Sequence, residues 1–266
     1  VPSKKRTKYK TLDGKYVQSI KPGTVRECRE FYKTHGEVKG FDIYGNNRYI
    51  YQYISDKYPE REIEFDINKI KLVTIDIEVK SEKGFPTVQA CDEEMLCITL
   101  QDYATKRILT FGVGPYHHND PMIKYVQCSD EYDMLQHFIK FWSHDPPEVV
   151  TGWNCQLYDI AYLAKRITRV LGEKACKKLS PWGLVTHEEI YLQGRAHTVY
   201  DIGGVTVLDY LDLYRKFTYK AQESYKLDYI GEVELGKKKL DHSEFDTFKD
   251  FYTKAWNKFV DYNIQD

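Results

Sequence analysis

Hydrophobic and polar positions divide the chain into two regions, with a change near Ile67. Before it, TVRECREFYKTHG has the spacing of a short helix, with Thr24 as N-cap and Gly36 closing it. NRYIYQYIS, rich in aromatic and β-branched residues, predicts a strand, and DKYPERE a polar turn. After Ile67 come a strand over 70–79, the loop EKGFP, and strands around Met95–Tyr103 and Arg107–Val113, which together predict a meander. SDEYDMLQHFIKFWSHDPP predicts a helix capped by Ser129, with Leu135, Phe138 and Trp142 as its apolar stripe and Pro146-Pro147 beyond its end.

EVVTGWN is a further short buried strand, and a helix from near Leu157 to Gly172 places Ile160, Leu163, Ile167 and Val170 on one side. VTHEEIYLQGRAHTVYDIGG alternates around Gly194, as a long hairpin does. VTVLDYLDLYRKF passes from strand to helix, and SYKLDYIGEV and HSEFDTFKDFYTKAWNKFVDYNIQD are helical. Strands first, then alternating strands and helices, predict an α/β layer structure.

Composition changes this picture little. At 266 residues, 42% hydrophobic, the chain is long enough for one large domain with a smaller neighbour, and its composition argues against disorder. Six cysteines without a C-x-x-C pair predict reduced thiols rather than a disulfide frame or zinc site. No apolar run approaches a membrane span, and the first residues, VPSKKRTKYK, suggest a fragment of a longer protein. Charge adds more. Residues 1–33 hold ten Lys/Arg against three acids, a local +7 that leaves −8 for the rest of a chain whose net charge is −1. A basic arm before an acidic body is compatible with nucleic-acid contact.

The candidate chemistry begins in LVTIDIEV. Successive strand residues alternate faces, so Asp76 and Glu78 share one face, Cα atoms roughly 6.6–7 Å apart. Val73, Ile75, Ile77 and Val79 share the other and supply core. Unpaired carboxylates are costly to bury, but two at this spacing can grip a divalent cation or reach two. Asp159 falls in the first turn of a helix, where the helix dipole favours negative charge, and Asn154 just after a strand can orient a carboxylate or a water. Tyr262 and Asp266, four apart on the last helix, lie on one face.

Asp-x-Glu on a strand, Asn-x4-Asp at a strand-to-helix step and Tyr-x3-Asp on a late helix, in this order, resemble the three exonuclease motifs of family B DNA polymerases. DIEVKSEKGFP, GWNCQLYDIAYLAKRI, VLDYLDLYRKF, SYKLDYIGEVEL and YNIQD extend the resemblance to the T-even-like phage replicative polymerases over nearly the whole chain.

The resemblance implies a 3′→5′ proofreading exonuclease of the ribonuclease-H-like fold, an α/β domain with a mixed central sheet flanked by helices, over residues 66–266. Residues 1–65 would be part of a small α+β N-terminal domain. It implies Asp76, Glu78, Asp159 and Asp266 as ligands of two divalent cations, Mg²⁺ or Mn²⁺, and Tyr262 as the residue that orients water. The related exonucleases with His in that role carry it five residues before the last Asp; that position is Asp261 here, which places the chain in the tyrosine class. Phe85 would pack on the terminal base, the Gly194 hairpin would separate strands, and a lysine of GKKKLD, Lys239 among them, would contact phosphate. The implied partners are a single-stranded DNA 3′ end, primer-template DNA, a polymerase domain of the same chain that is absent here, and a sliding clamp. The implied location is the cytoplasm of the infected bacterial host. Two rival readings use the same residues: a free-standing exoribonuclease, and a nucleic-acid-binding domain with an inactive nuclease site.

Overall fold

The computed structural model describes residues 1–45, 49–59, 62, 64, 66–192 and 194–266. It separates into two compact units, Val1–Phe65 and Asp66–Asp266.

In the first unit, β1 (Tyr9–Lys10) and β2 (Tyr16–Val17) pair antiparallel. Helix α1 (Val25–His35) begins with the expected Thr24 cap, completed by Glu27 as a capping box. The stretch expected as a strand instead enters α2 (Tyr49–Lys57); its residues 47 and 48 lie outside the described residues. Aromatic and β-branched residues favour strands when a pleated surface packs against them. Here Ile50 and Tyr53 are exposed, and a Gln52–Asp56 hydrogen bond of 2.7 Å links successive helical turns.

The second unit is built on β3 (Leu72–Val79), β4 (Met95–Asp102), β5 (Ile108–Gly112), β6 (Ile123–Gln127), β7 (Val149–Gly152) and β10 (Thr206–Asp209). They form a mixed sheet in the order β10-β7-β3-β4-β5-β6. β3, β4 and β5 are the antiparallel meander; β7 and β10 run parallel to β3, and β6 parallel to β5. The pattern did not predict β6, an edge strand whose residues are at most half-buried, so no apolar face marks it.

Helices α3 (Glu131–His144), α4 (Asp159–Leu171) and the short α5 (Glu173–Cys176) follow the sheet strands, and β8 (Val185–Leu192) pairs with β9 (Arg195–Ile202) in the hairpin. The remaining helices are α6 (Tyr210–Phe217), α7 (Leu227–Leu235), α8 (Phe248–Lys254) and α9 (Trp256–Gln265). On one side of the sheet the β3 residues Val73, Ile75, Ile77 and Val79 share a core with Leu135, Phe138 and Trp142 of α3 and Ile160, Leu163 and Ile167 of α4. A smaller cluster joins Leu96 and Cys97 to Phe251 of α8 and Phe259 and Val260 of α9. Helices therefore cover both faces, and the α/β expectation holds.

α3 is capped by Asp130, whose side chain accepts from Asp133 N–H at 2.8 Å, rather than by Ser129. Ser129 takes the reciprocal part, its N–H donating to Asp133 at 2.9 Å. Arg166 of α4 makes two bonds, 2.6 and 2.7 Å, to the buried Glu131 of α3, which fixes the helix that carries Asp159. Among the described residues no helix is long and apolar enough to cross a membrane.

Candidate active site

β3 alternates half-buried and buried positions along its length, with Asp76 and Glu78 on the half-buried face. On its β7 side the ladder ends at Thr74, because β7 stops at Gly152. Beyond that point the N–H of Ile77, between the two carboxylates, donates instead to Asp159 Oδ1 at 3.1 Å. The helix-start carboxylate thus takes the place of a missing strand partner. Asp159 is 4% exposed, and this backbone bond is what makes its burial tolerable.

The turn that delivers Asp159 has identifiable causes. A Cβ on Gly152 would meet Ile75 O at 2.6 Å, so glycine lets the chain pass close to β3. Asn154 then adopts φ 60°, a left-handed conformation that asparagine tolerates better than most residues. Asp209, at the end of β10, accepts from the N–H groups of Asn154, Gln156 and Leu211, each at 3.0 Å. One buried carboxylate therefore ties the strand-to-helix turn of α4 to the start of α6.

Tyr262 comes from α9, and Asp266 caps the end of that helix. Carboxylate oxygens of Asp76, Glu78 and Asp266 all lie within 4.8 Å of one another. Asp159 stands outside that trio, one oxygen engaged by Ile77, but close enough to act on the charge of Asp76 and Glu78. Lys239 Nζ, half-buried, donates to Asp266 Oδ2 and, at 3.2 Å, to Tyr262 Oη. Lys239 thus faces a carboxylate and a phenol of the site. Asp261 turns away to accept from Tyr116 Oη at 2.6 Å.

Burial dominates the electrostatics. It lifts Glu78 up to about 8, with Asp266 and Asp159 adding and Lys239 opposing. Asp159 rises to about 7 by burial, against the pull of the Ile77 and Asp159 N–H groups. Asp76 is raised well above the carboxylate range by burial and then by Asp159, Glu78 and Asp266. Burial also raises Asp266, against the Lys239 charge. These groups crowd together more negative charge than one lysine offsets, so the pocket favours added positive charge. Oxygen-only donors of this kind suit hard divalent cations such as Mg²⁺ and Mn²⁺.

Phe85 is 78% exposed, its ring 5.5 Å from that of Tyr158, which precedes Asp159. It is therefore not core filling. Asn154 enters the site's architecture through its backbone N–H and its left-handed turn. The sequence reading gave no role to Asp209 or Asn263, although both fall inside quoted motifs. An Asp closing a strand immediately before a helix was the available signal for Asp209.

The profile of the DNA polymerase family B exonuclease domain matches residues 30–230. The chain belongs to this family. The family B chain is 29% identical to the DNA-directed DNA polymerase of Escherichia phage RB69, an alignment covering 100% of this chain and 32% of the relative. It is also 29% identical to that of Enterobacteria phage T4, covering 99% and 32%. A more distant relative, the DNA polymerase catalytic subunit of Psittacid herpesvirus 1, is 26% identical over 65% of this chain. The family B chain thus spans about a third of the length of the phage polymerases it matches. Its exonuclease fold is the mixed sheet flanked by helices described above.

Proposed function

We propose that this chain is the 3′→5′ proofreading exonuclease of a larger DNA polymerase and removes the terminal nucleotide of a frayed single-stranded DNA 3′ end. The observation that carries this reading is that carboxylate oxygens of Asp76 and Glu78 from β3 and of Asp266 just past α9 lie within 4.8 Å of one another, with Asp159 from α4 close enough to act on their charge. Four acids drawn from three elements would repel one another without a cationic ligand.

In this reading Asp76, Glu78, Asp159 and Asp266 hold two Mg²⁺ or Mn²⁺ ions. When bound, such ions lower the pKa of water and offset charge developing on the phosphate and the leaving 3′ oxygen. The chain's own groups do the rest. Tyr262, its hydroxyl oriented by Lys239, positions the attacking water, and no side-chain general base is needed. Phe85 and Tyr158 offer a stacking surface for the terminal base beside the carboxylates. Asn154 shapes the turn that places Asp159, and Lys239, beside Asp266 and Tyr262, supplies positive charge for the substrate's phosphate. The β8–β9 hairpin, with Tyr191 exposed near its tip, is suited to parting the primer end from its template. Primer-template DNA, the polymerase domain of the full-length protein and a sliding clamp are partners this reading assigns to the whole protein.

Nucleotide release from a single-stranded DNA oligonucleotide in Mn²⁺ tests the proposal directly; a matched RNA oligonucleotide degraded at the same rate would overturn its DNA assignment. Tyr262→Phe is expected to slow release on the order of 10-fold through loss of water positioning. Its Mn²⁺ binding, followed by calorimetry, should be retained, and loss of binding would make Tyr262 part of the metal site. Phe85→Ala should weaken substrate binding roughly 10-fold, as loss of one base stack does, with kcat little changed. A fall in kcat at unchanged KM would argue against stacking.

A further inference from the structure

The proposed mechanism gives no part to the buried polar row behind Asp76. Asp76 on β3, Thr99 on β4 and Thr110 on β5 are successive cross-strand partners. Thr99 and Thr110 are 6% and 0% exposed, and Asn263 on α9, above them, is 1% exposed. The two threonine hydroxyls lie 2.8 Å apart, Thr99 Oγ1 donates to Asn263 Oδ1 at 2.5 Å, and Asn263 Nδ2 donates to Asp76 Oδ2 at 2.6 Å.

The direction of this relay follows from chemistry. Asp76 in its ionised form only accepts, so Asn263 must present its NH₂ to it. That orientation leaves Oδ1 facing Thr99, whose hydroxyl must donate. Thr99 then has only acceptor capacity left, which Thr110 fills. Each member fixes the next, and leaving any one of them unsatisfied is costly where it is buried.

We propose that Asn263, oriented by Thr99 and Thr110, is a positioning residue for Asp76. It engages Oδ2, sets the plane of the carboxylate and commits Oδ1 to the divalent cation. The inference rests on Asp76 being a metal ligand, as argued above.

The test is Mn²⁺ binding to the metal-free protein, read as free Mn²⁺ by electron paramagnetic resonance, well below the melting temperature of each variant. Asn263→Leu should weaken Mn²⁺ affinity about 10- to 100-fold, as loss of an outer hydrogen-bond partner to a ligand typically does. Thr99→Val, two bonds away and nearly isosteric, should weaken it about 3- to 10-fold by freeing the amide to turn. A purely structural role would lower the melting temperature and leave both isotherms unchanged, which would overturn the proposal. If Asn263→Leu does not fold, the Thr99→Val isotherm decides alone. Asp76→Asn separates the two levels of inference. Wild-type Mn²⁺ binding in that variant would overturn the metal-ligand reading itself. Lost binding there, with wild-type binding in Thr99→Val, would overturn only the relay.

Discussion

Replacing Asp76 and Glu78 together by alanine should lower nucleotide release from a single-stranded DNA 3′ end at least ~10³-fold in Mn²⁺, because the ions supply several kcal/mol of charge stabilisation. Both residues reach the shared cluster from the same face of β3, so the double change removes two of its three donors at once. The fold should survive. Val73, Ile75, Ile77 and Val79 on the opposite face stay in the core, and the Ile77 N–H bond to Asp159 does not involve the mutated side chains. Far-UV circular dichroism together with a Mn²⁺-dependent release assay checks both halves. Release within a few-fold of wild type by the correctly folded double variant would remove the nuclease assignment.

Without metal, the same carboxylates should destabilise the protein, and the effect should depend on pH. Glu78 moves from 4.5 to about 8 on folding and Asp159 from 3.8 to about 7, so the folded protein holds protons that the unfolded chain has released. Stability must then fall as pH rises through the window between those values. In EDTA, Asp76→Asn with Glu78→Gln should melt close to wild type at pH 4.5. At pH 8.5 it should be more stable by about 2 kcal/mol, or ~5 °C. Adding Mn²⁺ at pH 8.5 should reverse the order, since a ligand that binds only the native wild type stabilises it by mass action. Equal melting temperatures in EDTA at both pH values would show that the acids do not crowd one another.

Much of this site was legible in one dimension, and the reasons are local. The period-2 pattern of LVTIDIEV puts Asp76 and Glu78 on one face, whatever the rest of the chain does. The spacing of Tyr262 and Asp266 puts them on one side of any helix through them. The strand-to-helix step before Asp159 is announced by a short buried run followed by an apolar helical stripe. Local signals misled by one residue at the α3 cap, where Asp130 takes the place expected of Ser129, and more where packing decides. NRYIYQYIS has strand composition but enters a helix, and β6 lacks the apolar face that would have revealed it.

The sequence by itself determined the acids, their faces and their family, because these follow from residue identity and from the fixed periods of helix and strand. Only the tertiary structure decided that Asp159 replaces a strand partner at Ile77, that Asp209 holds the turn in front of it, and that Lys239 faces Asp266. It alone decided that Asn263 faces Asp76 across 187 positions of sequence. Such contacts depend on where β7 stops, how close Gly152 passes to β3 and how α9 docks. Those are outcomes of packing between distant segments, which no local pattern of residues encodes.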